Sequence, residues 1–259
     1  MTSTNAELLP TGQDRARFLA HGYAVVPDVF APEETANVIE AATRVSEAEM
    51  RANPDDPFTV DRDETGRTAP RKIDYPFLKS EVFRAFILDE RLQRIASVFL
   101  GESAYLMRDQ LFCKPPEVGS AKPFHQENAN LGYAPADGML ITWIALDEAR
   151  LDNGALRVLP GSHDRLWEHS PMPSATYNHV PPEEALEQGQ EISLPVASGS
   201  VIIMHSQILH ASAPNTSRMW RRAYAAHWVR SNITCATDAH RYGYSLTAGG
   251  GEYCAYRAP

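Results

Sequence analysis

The sequence predicts a mainly β protein with flanking α: one sandwich-type or jelly-roll core with N-terminal helices packed outside it. Three observations predict this. Helical periodicity is confined to the first hundred or so of 259 residues. After Gly101 come short β-rich runs separated by Pro, Gly, Asn and Asp clusters. Helices first and then a long all-β stretch with uneven loops suits one layered core. With 43% apolar residues, the chain is long enough to bury it.

The elements follow in order. Residues 1–10 are polar and expected to fray. Residues 13–20 read as a short helix with Gly22 as its C-cap, and residues 23–27 as a strand. Pro32 followed by Glu33 and Glu34 marks a helix start, with acids against the positive dipole end. Val38, Ile39, Ala42 and Val45 then recur at helical spacing. Residues 53–71 are polar, carry Pro54 and Pro57, and read as a loop. A second helix is predicted over residues 81–100, with Val82, Phe83, Phe86 and Ile87 on one stripe and Gly101 as its stop. The predicted strands are 104–114, 139–146, 155–159, 199–204 and 222–229. Residues 163–189, with four prolines, read as a long loop. No linker divides the chain. A single domain over 1–259 is expected: helical region 11–101, core 102–230 and C-terminal segment 231–259. The run Gly249-Gly250-Gly251 lacks the strand-to-helix context of a phosphate loop and reads as a flexible tail.

The chain carries 24 Lys+Arg against 33 Asp+Glu, a net charge of -9. That argues against a nucleic-acid-binding face and against docking on anionic lipid. No apolar run approaches the ~18 residues of a membrane span. The first ten residues have no basic stretch followed by an apolar one, as a secretory signal would. Cys113, Cys235 and Cys254 are too few and too scattered for a disulfide framework or a zinc knuckle. The expectation is a cytoplasmic protein with a small-molecule substrate and no nucleic-acid or membrane partner. Monomer and homodimer both remain open.

His125-Gln126-Glu127 is the first element with chemistry in it. On a strand, residues i and i+2 point to one face, so imidazole and carboxylate can converge on one ion. Alone the pair means little: nine His and 33 acids in 259 residues supply about one such pair by chance. His210, at the rim of the β region, adds what is missing. Two His and one carboxylate suit a non-haem Fe(II) oxygenase, with coordination positions left open. An anionic chelating co-substrate then takes two positions and O2 the third. Its remaining carboxylate calls for a planar, bidentate Arg. Arg218, Arg221 and Arg222 all follow His210 closely.

These residues lie among longer motifs. They include Phe18-Leu-Ala-His-Gly-Tyr-Ala-Val-Val-Pro, Lys114-Pro-Pro, Phe124-His-Gln-Glu-Asn and Asn153-Gly-Ala-Leu-Arg-Val-Leu-Pro-Gly-Ser-His. His210-Ala-Ser-Ala-Pro-Asn-Thr-Ser and Arg221-Arg-Ala close the series. Together they resemble the phytanoyl-CoA dioxygenase family of Fe(II)/2-oxoglutarate oxygenases, from Phe18 to Val229. The resemblance implies a double-stranded β-helix, a cupin-like jelly roll, and the cofactors Fe(II), 2-oxoglutarate and O2. It implies His125, Glu127 and His210 as the iron ligands and catalytic centre. It implies Arg221 for the distal carboxylate of 2-oxoglutarate, with Ser212 as its hydroxyl partner. Trp143, Met107 and Lys72 match positions near the same co-substrate. The family usually has Asp where this chain has Glu127. Glu is one methylene longer but still a hard carboxylate, so iron binding is expected to survive. A small residue there would leave a position for halide, so Glu127 argues against halogenation.

Asn128, Asn130 and Tyr133 follow the first two ligands and are candidates for a polar substrate, as are Arg71, Arg108, His227 and Arg230. His205 reads as a satisfied rim histidine and His163 as a supporting residue. The implied activity is oxidation, by default hydroxylation, of an unactivated C–H bond in a small polar metabolite or natural-product intermediate, with release of succinate and CO2. The same oxidant also serves desaturation, epimerisation and ring formation. A zinc hydrolase also uses two His and a Glu, but the helical HExxH pattern is absent. A metabolite-binding protein on a degenerate core is the third reading.

Overall fold

Four cappings and one hairpin explain the N-terminal half of the computed structural model, which describes residues 10–231 and 233–235. Helix α1 (Gly12–His21) opens with the Thr11 N–H and hydroxyl both donating to the Asp14 carboxylate at 2.8 Å. It stops at Gly22, in the left-handed region at φ 80°. Strand β1 (Tyr23–Val26) follows, then helix α2 (Pro32–Ala52), which begins on its proline and buries Val38, Ala41, Ala42 and Val45. The expected loop 53–71 holds a hairpin, β2 (Val60–Arg62) against β3 (Thr68–Pro70). The Asp63 carboxylate closes its turn, accepting from the N–H groups of Thr65 and Arg67 at 2.9 and 3.0 Å. Strand β4 (Lys72–Asp74) leads into the short α3 (Pro76–Lys79), and the single helix expected over 81–100 is two, α4 (Glu81–Ile87) and α5 (Glu90–Leu100). The break falls at Asp89, whose carboxylate caps α5 by accepting from the Arg91 N–H at 2.9 Å. Phe83, Phe86, Ile87, Leu92 and Ile95 share one core across that break, so periodicity alone does not reveal it. Gly101, at φ 82°, ends α5.

The second half is almost all strand: β5 (Tyr105–Lys114), β6 (Lys122–His125), the short helix α6 (Glu127–Leu131), β7 (Tyr133–Ala134) and β8 (Met139–Ala145). There follow β9 (Leu156–Val158), β10 (Ser170–Met172), β11 (Ala175–Val180), β12 (Ile192–Leu194), β13 (Val201–His205), β14 (His210–Ser212), β15 (Arg221–Val229) and β16 (Thr234–Cys235). The expected long loop 163–189 thus contains a hairpin, β10 on β11. Two antiparallel sheets make the jelly roll. The larger has the order β1-β13-β8-β15-β5-β4 and the smaller β12-β9-β14-β6. The expected N-terminal tail lies outside the described residues except for Pro10. The C-terminal segment from 236 on, with Gly249-Gly250-Gly251, lies outside them as well. No described helix is long and apolar enough to cross a membrane.

Alternation along the large sheet divides the interior in two. In β8, Leu140 and Ile144 join the helices in one apolar cluster, while Ile141, Trp143 and Ala145 face the small sheet in another. In β15, Tyr224, Ala226 and Trp228 go to the helices. Ala223 and Ala225 go to the inter-sheet side, flanked on the same face by Arg221 and His227. Two small residues between two long polar ones leave room there. A cavity of about 240 Å³ occupies it.

His205 closes β13 away from that cavity. It packs on Phe18 and His163, and its Nδ1 accepts the Gln207 N–H at 3.1 Å. Burial, and then the neighbouring His163, push its pKa from 6.5 down to about 4. The unfolded chain therefore binds the proton that the fold refuses. Stability contributed by neutral His205 is complete above about pH 6.5 and is lost as pH falls towards 4, on the order of 3 kcal/mol. Thermal melts of the metal-free protein across that window are expected to fall with acid. His205→Gln is expected to flatten part of the fall; an unchanged slope refutes the assignment.

Candidate active site

His125 ends β6 and His210 begins β14, and the two are direct cross-strand partners. Their rings stand 4.2 Å apart. Each Nδ1 is tied to a carbonyl two residues back, His125 to Pro123 at 3.0 Å and His210 to Ile208 at 3.1 Å. That fixes the tautomer and turns both Nε2 atoms into the cavity. Glu127 does not share a strand with His125, as the spacing suggested. It is the first residue of α6, and the helical turn brings its carboxylate round instead. Oε1 lies 3.4 Å from His125 Nε2 and 3.8 Å from His210 Nε2. The three donors lie within 4.8 Å of one another and could hold one metal ion. Ligand atoms about 2.1 Å from an ion stand about 3 Å from each other, so modest contraction suffices. Protonation also fits. Burial drives the His210 pKa down to about 3, which keeps the imidazole neutral. Burial would raise Glu127, but contacts from His125 and His227 outweigh it and hold the carboxyl well below its ordinary range. Two neutral imidazoles and one carboxylate are the form that binds metal.

Along the same cavity run Arg221, Ser212, Trp143, Lys114 and Lys122. Arg221 is 3% exposed, stacks its guanidinium 5.6 Å from the Trp143 ring, and has no hydrogen bond or ion pair among the described residues. Burial lowers its pKa to about 10. Lys114 is its direct cross-strand neighbour. The Lys114 ammonium donates to the Ala213 carbonyl at 2.7 Å and to the Ser120 carbonyl. Burial, and then Arg221, bring its pKa to about 6. Lys122, opposite Ser212, donates to Asn178 Oδ1 at 2.9 Å, and burial lowers it to about 8. No carboxylate pairs with these three basic side chains among the described residues. Gly154, at φ 90°, makes room for them: a Cβ there would sit 2.6 Å from the Ala213 oxygen and 2.7 Å from Lys114 Cδ.

The rest of the polar lining has three cations against two carboxylates. Arg71 pairs with Asp61 at 3.4 Å. Lys72 and Arg108 pair with Asp74 at 3.1 and 3.3 Å, and Gln110 donates to the same carboxylate. His227 lies here too, its Nε2 3.4 Å from Glu127 Oε2. Other expected positions are spent elsewhere. Met107 is buried in the inter-sheet core and does not line the cavity. The Asn128 amide exchanges two hydrogen bonds with the backbone of Tyr133, and Tyr133 is itself core. Arg230 pairs with Asp137 at 2.6 Å and Glu102 at 3.6 Å, off the cavity. The Asn130 side chain lies outside the described residues. His163 is held by the Leu19 carbonyl. Sequence reading missed Lys114, Lys122, Gln110 and Asn178. The first and third had a signal: Arg108, Gln110, Phe112 and Lys114 alternate along one face of a strand whose other face is apolar apart from Asp109.

Comparison with known proteins agrees with this geometry. The sequence model of the phytanoyl-CoA dioxygenase (PhyH) family matches residues 18–223. A probable alpha-ketoglutarate-dependent hypophosphite dioxygenase of Stutzerimonas stutzeri is 27% identical over 219 residues, covering 81% of this chain and 75% of that one. Among solved structures, the non-heme alpha-ketoglutarate-dependent carbocyclase SnoK from nogalamycin biosynthesis superposes with a TM-score of 0.75 at 20% identity, over 100% of this chain and 98% of its own. EctD from S. alaskensis, solved with 2-oxoglutarate and 5-hydroxyectoine, gives a TM-score of 0.69 at 23% identity, over 100% and 88%. With the family match spanning most of its length, this chain belongs to the phytanoyl-CoA dioxygenase family of Fe(II)/2-oxoglutarate-dependent oxygenases.

Proposed function

We propose that this protein is a dioxygenase that oxidises, by default hydroxylates, an unactivated C–H bond of a small polar metabolite or natural-product intermediate. His125, Glu127 and His210 hold the iron, and Arg221 with Ser212 holds the distal carboxylate of 2-oxoglutarate. One observation carries the reading: a His–Glu–His donor set opens onto the same cavity as a buried guanidinium with no hydrogen bond or ion pair among the described residues. When bound, the iron and its co-substrate supply the oxidation, with succinate and CO2 released.

The chain's own residues do the rest. The Pro123 and Ile208 carbonyls orient the imidazoles. Arg221 and Lys122 place positive charge, and Lys114 a further donor, where a dianionic co-substrate has its carboxylates. Trp143, Ile141, Met204 and Leu156 give the cavity apolar walls that exclude water. The paired charges around Asp74 and Asp61 leave the substrate side polar with little net charge. That favours a compact polar substrate over a long acyl chain, as does the cavity's size. Because a carbocyclase shares the fold, ring formation is the second reading of the reaction, beside desaturation and epimerisation.

Anaerobic titration of the purified protein with Fe(II) and 2-oxoglutarate tests the class. A visible metal-to-ligand charge-transfer band is expected, and substrate panels read by succinate release then follow. Tight zinc binding with no such band would overturn the oxygenase reading in favour of a hydrolase. Metabolite binding without turnover would favour a degenerate binder.

A further inference from the structure

We propose that His227 is a positioning residue that holds the second oxygen of Glu127 and so aims the first at the metal site. The inference rests on the iron-binding reading above and adds a residue to it.

The two oxygens of Glu127 face different partners. Oε1 looks to His125 and His210, at 3.4 and 3.8 Å. Oε2 looks away from them, to His227 Nε2 at 3.4 Å. His227 is 1% exposed, lines the cavity, and neither ring nitrogen has a hydrogen-bond partner among the described residues, so the Glu127 oxygen 3.4 Å away is the polar group Nε2 faces. A buried imidazole with no other polar engagement is placed to serve the carboxylate beside it. It does not join the ligand set, since the common metal-donor group is His125, Glu127 and His210 alone among the described residues.

Glu127 needs such a partner for a physical reason. Its side chain has one more rotatable bond than Asp, so more freedom must be removed to aim it. A donor fixed on strand β15 removes that freedom by holding Oε2. The strand is well anchored there: its neighbour Trp228 is fully buried and donates to the Thr142 hydroxyl at 2.9 Å. Arg108 is the cross-strand partner of His227, but its guanidinium goes to Asp74, which leaves the imidazole as the donor facing Glu127.

The test uses the full chain and four variants: His227→Phe, His227→Gln, Glu127→Asp and the double variant Glu127→Asp/His227→Phe. Fe(II) affinity is read by competition with a chelator. The anaerobic 2-oxoglutarate band and the melting temperature of the metal-free protein are read beside it. His227→Phe is expected to weaken Fe(II) by about 10- to 100-fold without lowering the metal-free melting temperature. His227→Gln, which keeps a donor, is expected to recover most of the loss. In the Glu127→Asp background the shorter carboxylate no longer reaches, so His227→Phe should cost little more. Unchanged affinity in His227→Phe overturns the proposal, and so does an equal loss in both backgrounds. Should His227→Phe fail to fold, a cycle of His227→Gln with Glu127→Asp decides instead: coupling supports the proposal and additivity overturns it. Failure of the parent reading looks different, because the unaltered protein would then show no iron–2-oxoglutarate band.

Discussion

Alanine at His210 is expected to abolish the iron–2-oxoglutarate band and all 2-oxoglutarate turnover, and alanine at His125 to do the same. Either change removes one of three protein donors and leaves an imidazole and a carboxylate, too few to hold iron against solvent. The fold should tolerate the loss. His210 is buried as a neutral ring with its pKa near 3, so removing it removes a group that acid would force to ionise. The melting temperature of the metal-free variant at neutral pH should therefore stay close to that of the unaltered protein. A nearby residue provides the control. His205 is only five residues earlier, yet it packs on Phe18 and His163 instead of facing the donors. His205→Gln should keep the band, and a band surviving both His125→Ala and His210→Ala would defeat the metal assignment.

Arg221 and Arg222 are adjacent and should behave oppositely. Arg222 makes a two-pronged ion pair with Asp147, at 2.7 and 2.9 Å. Arg221 is buried with no such partner, and burial has already lowered its pKa to about 10. A buried charge without a counter-ion destabilises the fold and is relieved only by a ligand. Arg221→Met should thus raise the melting temperature of the ligand-free protein while weakening 2-oxoglutarate by about 100-fold or more, since a charge-assisted bidentate pair is lost. Arg222→Met should lower the melting temperature and leave 2-oxoglutarate affinity within a few-fold. Thermal melts and co-substrate titration of the two variants decide it. Equal effects on co-substrate affinity would remove Arg221 from the site.

Much of this was legible in the sequence, for reasons that can be named. The β core was readable because β8 and β15 are long, apolar and bounded by turn residues. The metal centre was readable only in combination. His125 and Glu127 alone are a chance pair, and His210 with the surrounding motifs gave the pair meaning. Three things were hidden. The break between α4 and α5 lies within one continuous apolar stripe. The position of Glu127 on a helical turn is invisible because i and i+2 converge by a different route than in a strand. The place of Met107 depends on a bulge: Arg108 pairs with His227 and Leu106 with Trp228, which leaves Met107 between two registers. Lys122 was hidden for another reason. A lysine is ordinarily read as surface, and only tertiary packing brought this one inside.

The cross-strand pairing of His125 with His210 has a consequence for folding itself. Strands β6 and β14 are four and three residues long, and β6 is the outer strand of its sheet. So short a pair fixes its own alignment weakly, and a slip of one residue would send one imidazole to the opposite face. An ion that requires both rings binds only the correct alignment and stabilises it by mass action. The cofactor thus proofreads a short seam of the jelly roll. Loading it should slow amide exchange there more than anywhere in the helical layer, where side-chain packing already sets the alignment.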